Sequence, residues 1–297
     1  MTTIWCQWSD LNLPKNFSCI SKPIAELTPP ELSQIEIYVP QYMGGVKALS
    51  IIPQLKNLKV LQLLMAGYDD ALAFKRNGVR LFNARGVHDF STAELTLGLI
   101  ISSLRGIDKF VRNKESGAWD HQRLDSIYGK KVAIVGAGSV ASKISAMLNA
   151  FEVKPEMFAR TSRGHVKDIK SFDAEISNFD IIILIVPLND ETQHFMNSDR
   201  INKMKQGALL INVARGPVVD TFALLSALNA GKIRAAVDVT DPEPLPPGHP
   251  LWQAPNLIIS PHVGGNSSAF EPHGRKLIEE QCLRFASNQP LINEIAW

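Results

Sequence analysis

Apolar residues in this chain fall into short, nearly unbroken runs, and between the runs lie stretches with helical spacing or turn residues. Before about residue 90 the runs 35–39, 60–64 and 79–82 read as strands, with helices predicted between them at 46–55 and 69–77. Alternation of this kind predicts parallel βαβ units. Ser91-Thr92-Ala93-Glu94 has the spacing of a capping box, so a long helix is predicted from there to about Asn113. Residues 117–128 are polar and aromatic without a period and read as an excursion, in which Trp119 is either a core plug or an oligomer contact.

The second half repeats the pattern with higher contrast. Strands are predicted at 132–135, 157–159, 181–186, 208–213, 235–239 and 257–259, and nearly all are continuously apolar, as strands covered on both faces must be. The expected fold is therefore α/β, with a Rossmann-type doubly wound parallel sheet and a second, smaller α/β domain. The five prolines between Asp241 and Pro250 exclude helix and central strand and predict a stiff loop. A loop followed by an amphipathic helix, 275–286, closes the pattern.

Composition narrows the class. The chain has 297 residues, long for one core, with 45% hydrophobic and 20% charged residues and a net charge of +2. So balanced a charge argues against nucleic acid or an anionic membrane as partner. Cys6, Cys19 and Cys282 are odd in number and lack ligand-like spacing, which predicts a reducing compartment and no structural metal. The N-terminus lacks a basic segment followed by an apolar core, and no apolar run approaches membrane-spanning length, so a cytoplasmic location is expected.

One stretch carries explicit chemistry. Strand 132–135 runs into Gly136-Ala137-Gly138-Ser139-Val140-Ala141 and then a helix to about Phe151, the arrangement of a phosphate-binding turn. Gly136 permits the tight turn, Gly138 keeps a side chain away from a pyrophosphate, and the helix N-terminus offers N–H groups to the anion. In open α/β sheets ligands lie beyond the carboxyl ends of the strands. That rule selects Arg160, Pro187, Arg215, Asp238, Glu243 and the segment Ser260-Pro261-His262-Val263-Gly264-Gly265. Arg215 reads either as a fork for a carboxylate or as a surface salt-bridge residue. His262 reads as a general acid held by Glu243 or as an ordinary satisfied histidine, with Glu243 then a solvated loop residue.

Taken together, Gly136–Ala141, Ile211-Asn212-Val213-Ala214-Arg215-Gly216, Ala236-Val237-Asp238 with Pro242-Glu243-Pro244, and Ser260–Gly265 resemble the D-isomer-specific 2-hydroxyacid dehydrogenases over about residues 60–285. The resemblance implies that Arg215 holds a substrate carboxylate, His262 donates a proton to the carbonyl oxygen, Glu243 keeps His262 protonated and Asp238 orients the nicotinamide amide. It also implies that Met65, Ala66 and Gly67 bind the carboxylate through backbone N–H groups, and that Ser139, Val140, Pro187, Val213, Ala214 and Gly264 line the cofactor. The implied architecture is a discontinuous, flavodoxin-like substrate domain, residues 1–90 and 271–297, around a dinucleotide-binding domain, 91–270, in a homodimer. The implied activity is reduction of a small 2-ketoacid of the glyoxylate or hydroxypyruvate type. A nucleotide-sensing corepressor on the same fold is the alternative, and the absence of long disordered tails counts against it.

An NAD site needs an acid at the end of the second strand, about 20 residues past the glycines. Glu156 lies at the start of that strand, and its end reads Arg160-Thr161-Ser162-Arg163, cations and hydroxyls suited to a 2′-phosphate. NADP is therefore expected as the preferred cofactor, with NAD possible.

Overall fold

The computed structural model describes residues 1–297. The chain divides into two compact units, residues 1–88 with 268–297, and residues 89–267. The first begins with β1 (Thr2–Trp5), β2 (Phe17–Ile20), α1 (Pro29–Gln34), β3 (Ile35–Tyr38), α2 (Gly45–Leu49), β4 (Val60–Gln62) and β5 (Arg80–Phe82). At α1 the carboxylate of Glu31 accepts from both the backbone N–H and the hydroxyl of Thr28, and Pro29 takes the first helical position. The predicted helix 46–55 is shorter, because Pro53 converts its end into a 3-10 turn, and 69–77 is a 3-10 turn over Asp69–Phe74.

The second unit contains α3 (Asp89–Arg105), α4 (Ile107–Ser116), β6 (Val132–Val135), α5 (Ser139–Asn149), β7 (Glu156–Ala159), β8 (Val166–Asp168), α6 (Ile169–Glu175), β9 (Ile181–Leu184), α7 (Ser198–Lys203), β10 (Leu209–Asn212), α8 (Thr221–Asn229), β11 (Arg234–Val237) and β12 (Leu257–Ile259). Two expectations are corrected here. The helix starts at Asp89, so Ser91 sits buried inside its first turn and cannot act as the cap. The single helix 91–113 is two helices, because Gly106 takes φ 61° and a side chain there would press on Leu124. Leu124 thereby pins the excursion to the helix break, while Trp119 is 97% exposed and is no core plug.

All neighbouring strands of this unit are parallel, in the order β12-β11-β10-β9-β6-β7-β8. Counted from β6 this is the doubly wound order, with its switch point between β6 and β9. Alternate residues of each strand feed opposite faces: Ala133 and Val135 enter one core cluster, Val132 and Ile134 the other. That is why these strands read as unbroken apolar runs.

The chain returns to the first unit as α9 (Phe270–Ala286) and β13 (Glu294–Ile295). Its sheet has the order β13-β5-β4-β3-β1-β2, parallel except for β13. The five parallel strands follow the flavodoxin-like order. Gln281 of α9 donates to Gln62 of β4 and to the carbonyl of Ile292, and accepts from the N–H of Ile292. This buried amide network stitches the returning segment to the central strand. The three free cysteines, far apart in sequence, meet around one core cluster under α9, and burial pushes the thiols of Cys6 and Cys282 up to about 12. No helix is long and apolar enough to cross a membrane.

Candidate active site

Parallel topology brings the carboxyl ends of β6, β7, β9, β10, β11 and β12 to one edge of the second unit, and the residues selected from sequence in this unit follow those ends. After β6, Gly136 takes φ 130°, and a Cβ there would stand 2.2 Å from the carbonyl oxygen of Ile185. Only glycine fits, because both the dihedral and the neighbouring loop forbid a side chain. At Gly138 a Cβ would meet no protein atom within 4 Å, and no side chain caps α5, which starts with Ser139 and Val140. An open approach in front of an uncapped helix N-terminus fits a pyrophosphate. The Ser139 hydroxyl donates to Asp89 at 3.0 Å.

Beyond β7, Arg160, Thr161, Ser162 and Arg163 are all exposed. The Arg163 guanidinium donates to the carbonyl of Ala137 at 2.8 Å, which carries its charge to the glycine turn itself. Arg160 lies 3.6 Å from Glu191, a loose pair between exposed groups that is worth little. Glu156 is at the opposite end of β7, where Lys167 holds it at 2.5 Å. Pro187, past β9, is exposed, and its carbonyl accepts from the Thr192 hydroxyl at 2.7 Å.

Beyond β10 the buried Asn212 closes a turn: its side chain accepts from the Ala214 N–H at 3.1 Å and donates to the Arg215 carbonyl at 2.9 Å. Val213 and Ala214 are buried, and Arg215 is half-buried with one Nη donating to the Ala214 carbonyl at 2.7 Å. At Gly216 a Cβ would fall 1.9 Å from the Thr240 carbonyl oxygen, so glycine is what lets the loops after β10 and β11 touch. This contact carries Arg215 toward Glu243 and puts its cation within electrostatic range of that carboxylate.

Glu243 accepts at 2.5 Å from Nδ1 of His262 and at 3.4 Å from the N–H of Thr240. Burial works to raise its carboxyl, but the hydrogen bond and charge of His262, the Thr240 N–H and the Arg215 cation outweigh it and hold the carboxyl below the ordinary glutamate range. The His262 and Glu243 side chains are each 38% exposed, so the ring is held on one side and accessible on the other.

His262 has φ 53°, a left-handed conformation that costs a non-glycine residue about 1 kcal/mol. The buried Asp238 overrides that cost. Its carboxylate accepts from the Ser260 hydroxyl at 2.6 Å, the Val263 N–H at 2.9 Å and the Gly264 N–H at 2.8 Å, and its carbonyl accepts from the His262 N–H at 2.7 Å. A Cβ on Gly264 would stand 2.9 Å from that carboxylate. Three donors leave a carboxylate room for about one more.

Met65, Ala66 and Gly67 belong to the other unit, following β4. The carbonyls of Leu64, Met65 and Ala66 are taken by the His88 ring at 2.8 Å, the Ala84 N–H at 2.8 Å and the Asn83 side chain at 2.7 Å. The loop is thus fastened by its acceptors and keeps its N–H groups for another partner. Asn212 and Asn83 escaped the sequence reading. Asn212 stands inside the motif quoted for Arg215, but nothing local marks either residue as a tie for a loop.

Residues 97–264 match the family model described as D-isomer specific 2-hydroxyacid dehydrogenase, NAD binding domain. A glyoxylate reductase from Thermofilum pendens is 36% identical over 225 residues, which are 70% of this chain and 66% of that protein. Among solved structures, a D-isomer specific 2-hydroxyacid dehydrogenase family protein from Aeromonas salmonicida aligns with TM-score 0.89 at 25% identity over 99% of this chain and 98% of that one. A D-isomer specific 2-hydroxyacid dehydrogenase from Xanthobacter autotrophicus, in complex with NADPH and MES, shares the fold with TM-score 0.79 at 23% identity over 99% and 98% of the two chains.

Proposed function

This chain belongs to the D-isomer specific 2-hydroxyacid dehydrogenases, and on that premise we propose that it reduces a small 2-ketoacid of the glyoxylate or hydroxypyruvate type to the D-2-hydroxy acid, with NADPH as preferred cofactor and NADH as the lesser one. The observation that carries the reading is the Glu243–His262 hydrogen bond with the Arg215 cation beside it, beyond the carboxyl ends of three adjacent strands.

The reduced nicotinamide, when bound, supplies the hydride. Arg215 grips the substrate carboxylate in two-point fashion and fixes the carbonyl. Glu243 occupies Nδ1 of His262, so the proton passes from Nε2 to the carbonyl oxygen as the hydride reaches the carbon. Asp238 uses its remaining acceptor capacity on the carboxamide. Gly136, Gly138, Ser139 and Val140 receive the pyrophosphate, and Pro187, Val213, Ala214 and Gly264 line the dinucleotide. The N–H groups of Met65, Ala66 and Gly67 are assigned to the carboxylate. Arg160, Thr161, Ser162 and Arg163 take the 2′-phosphate: the end of β7 carries cations and no acid of its own, Glu191 from the loop after β9 pairs only loosely with Arg160, and Arg163 already reaches the turn.

The exposed apolar side chains of Ile107, Phe110, Val111, Trp119 and Tyr128 support a homodimer through the dinucleotide-binding unit. The free thiols support a reducing, cytoplasmic setting. The sensing alternative is not favoured, since the curated relative named above is an enzyme.

Turnover of NADPH against a panel of 2-ketoacids tests the reading, together with Arg215→Lys. An ammonium cannot reproduce the fork, so kcat/KM for the ketoacid is expected to fall roughly a hundredfold with dinucleotide affinity unchanged. Equal losses in both would remove Arg215 from the carboxylate.

A further inference from the structure

The phosphate turn has an acid beside it. Asp89, the first residue of α3, accepts from the Ser139 hydroxyl at 3.0 Å, and Ser139 opens α5 directly behind Gly138. No cation pairs with this carboxylate, while Arg163, the cation that reaches the turn, donates to the Ala137 carbonyl. An acid in the first turn suits the dipole of the 17-residue α3, which accounts for its place in the fold. It does not suit a pyrophosphate.

A hydroxyl has a single proton to donate, and an ionised carboxylate can only accept, so while Asp89 holds that proton the Ser139 side chain has none for a phosphoryl oxygen. No side chain caps α5, and its N–H groups still attract the anion. Asp89 works against them. A phosphoryl oxygen that took the proton over would stand about 2.7 Å from the hydroxyl, and hence within about 6 Å of the Asp89 carboxylate. At that spacing, with an effective dielectric between those of water and a protein surface, like charges repel by enough to weaken binding roughly tenfold.

We propose that Asp89 is a positioning residue of the cofactor site: it draws the Ser139 hydroxyl off the pyrophosphate and sets its own charge against the phosphates, which keeps the dinucleotide loosely held. The inference rests on the reading of Gly136–Ala141 as the pyrophosphate site.

Fluorescence titration of the full chain with NADPH and with NADH, in the parent, D89N, S139A and D89N/S139A, tests it. Asparagine keeps the shape of the aspartate and can still begin a helix, so D89N removes the charge and little else. Both dinucleotides carry the pyrophosphate, and D89N is expected to bind each about tenfold more tightly than the parent does. The gain should shrink at high salt, where exposed charges are screened, and should fall to a few-fold when D89N is made in the S139A background. A role confined to starting α3 would move the thermal melt and none of these affinities. Unchanged or weaker binding in D89N, a gain seen with NADPH alone, or a gain undiminished in S139A would each overturn the assignment. A parent that binds neither dinucleotide would instead remove the cofactor site itself, and this inference with it.

Discussion

Two loops that follow parallel strands are fastened in opposite senses. In the 89–267 unit, the turn Ser260–Gly264 is held through its N–H groups, which Asp238 collects. In the other unit, the loop Leu64–Gly67 is held through its carbonyls, which His88, Ala84 and Asn83 collect. A turn whose N–H groups are consumed by a buried carboxylate has only a side chain to present, and here that side chain is His262. A loop whose carbonyls are consumed presents its N–H groups, which suit an anion. The same tactic, a buried polar tie behind a strand end, thus yields a candidate proton donor in one unit and a candidate anion cradle in the other.

Removing what the first turn presents should have the largest effect. His262→Asn is expected to lower kcat by roughly 10²–10⁴, the usual contribution of a positioned general acid, while dinucleotide affinity stays constant. A loss below tenfold would mean that the turn presents something other than the acid.

Cutting the ties comes next. Asp238→Asn keeps the shape but sets an amide against N–H donors in a buried place, so about 3 kcal/mol of stability should disappear in denaturant melts. An unchanged melt would show that the turn holds itself. Asn83→Ala removes the donor to Ala66 and the acceptor for the Arg85 N–H, and is expected to cost about 1–2 kcal/mol, with KM for the ketoacid rising more than kcat falls. If kcat alone fell, the loop would not serve the ground-state carboxylate.

The smallest effect is a pH dependence. Because the folded Glu243 carboxyl is held below its ordinary value, its contribution to stability is fully present above the ordinary glutamate range and is lost as pH falls through the lowered folded value. Melts of the parent and Glu243→Gln across that range should therefore converge on the acid side. A constant gap would contradict the assignment.

The two units were also unequally legible in sequence. Strands β6, β9, β10 and β11 are buried on both faces, so their apolar runs announce them, and the glycine turn after β6 is local chemistry. Of the four edge strands only β12, Leu-Ile-Ile, gave such a signal: β2 reads Phe-Ser-Cys-Ile, β8 Val-Lys-Asp, and β13 has two residues. The break at Gly106 was missed because apolar spacing continues through it, and the capping box at Ser91 was misread because local spacing cannot report that the helix already began at Asp89. Arg215, Glu243 and His262 could be picked from strand ends, but their company depends on Gly216 meeting Thr240, a contact between distant segments. Asn83, Asn212 and Gln281 are ordinary amides in sequence, and only tertiary packing makes them ties.

The central claim is that His262, held by Glu243 and aimed by Asp238, delivers a proton to a 2-ketoacid at a dinucleotide site. The most direct measurement follows dinucleotide absorbance with glyoxylate and hydroxypyruvate in the parent and in His262→Asn. The account predicts turnover in the parent, faster with NADPH than NADH, and its near-abolition in the variant with NADPH still bound. Binding of NADPH without oxidation by any 2-ketoacid, or equal turnover in the variant, would contradict it.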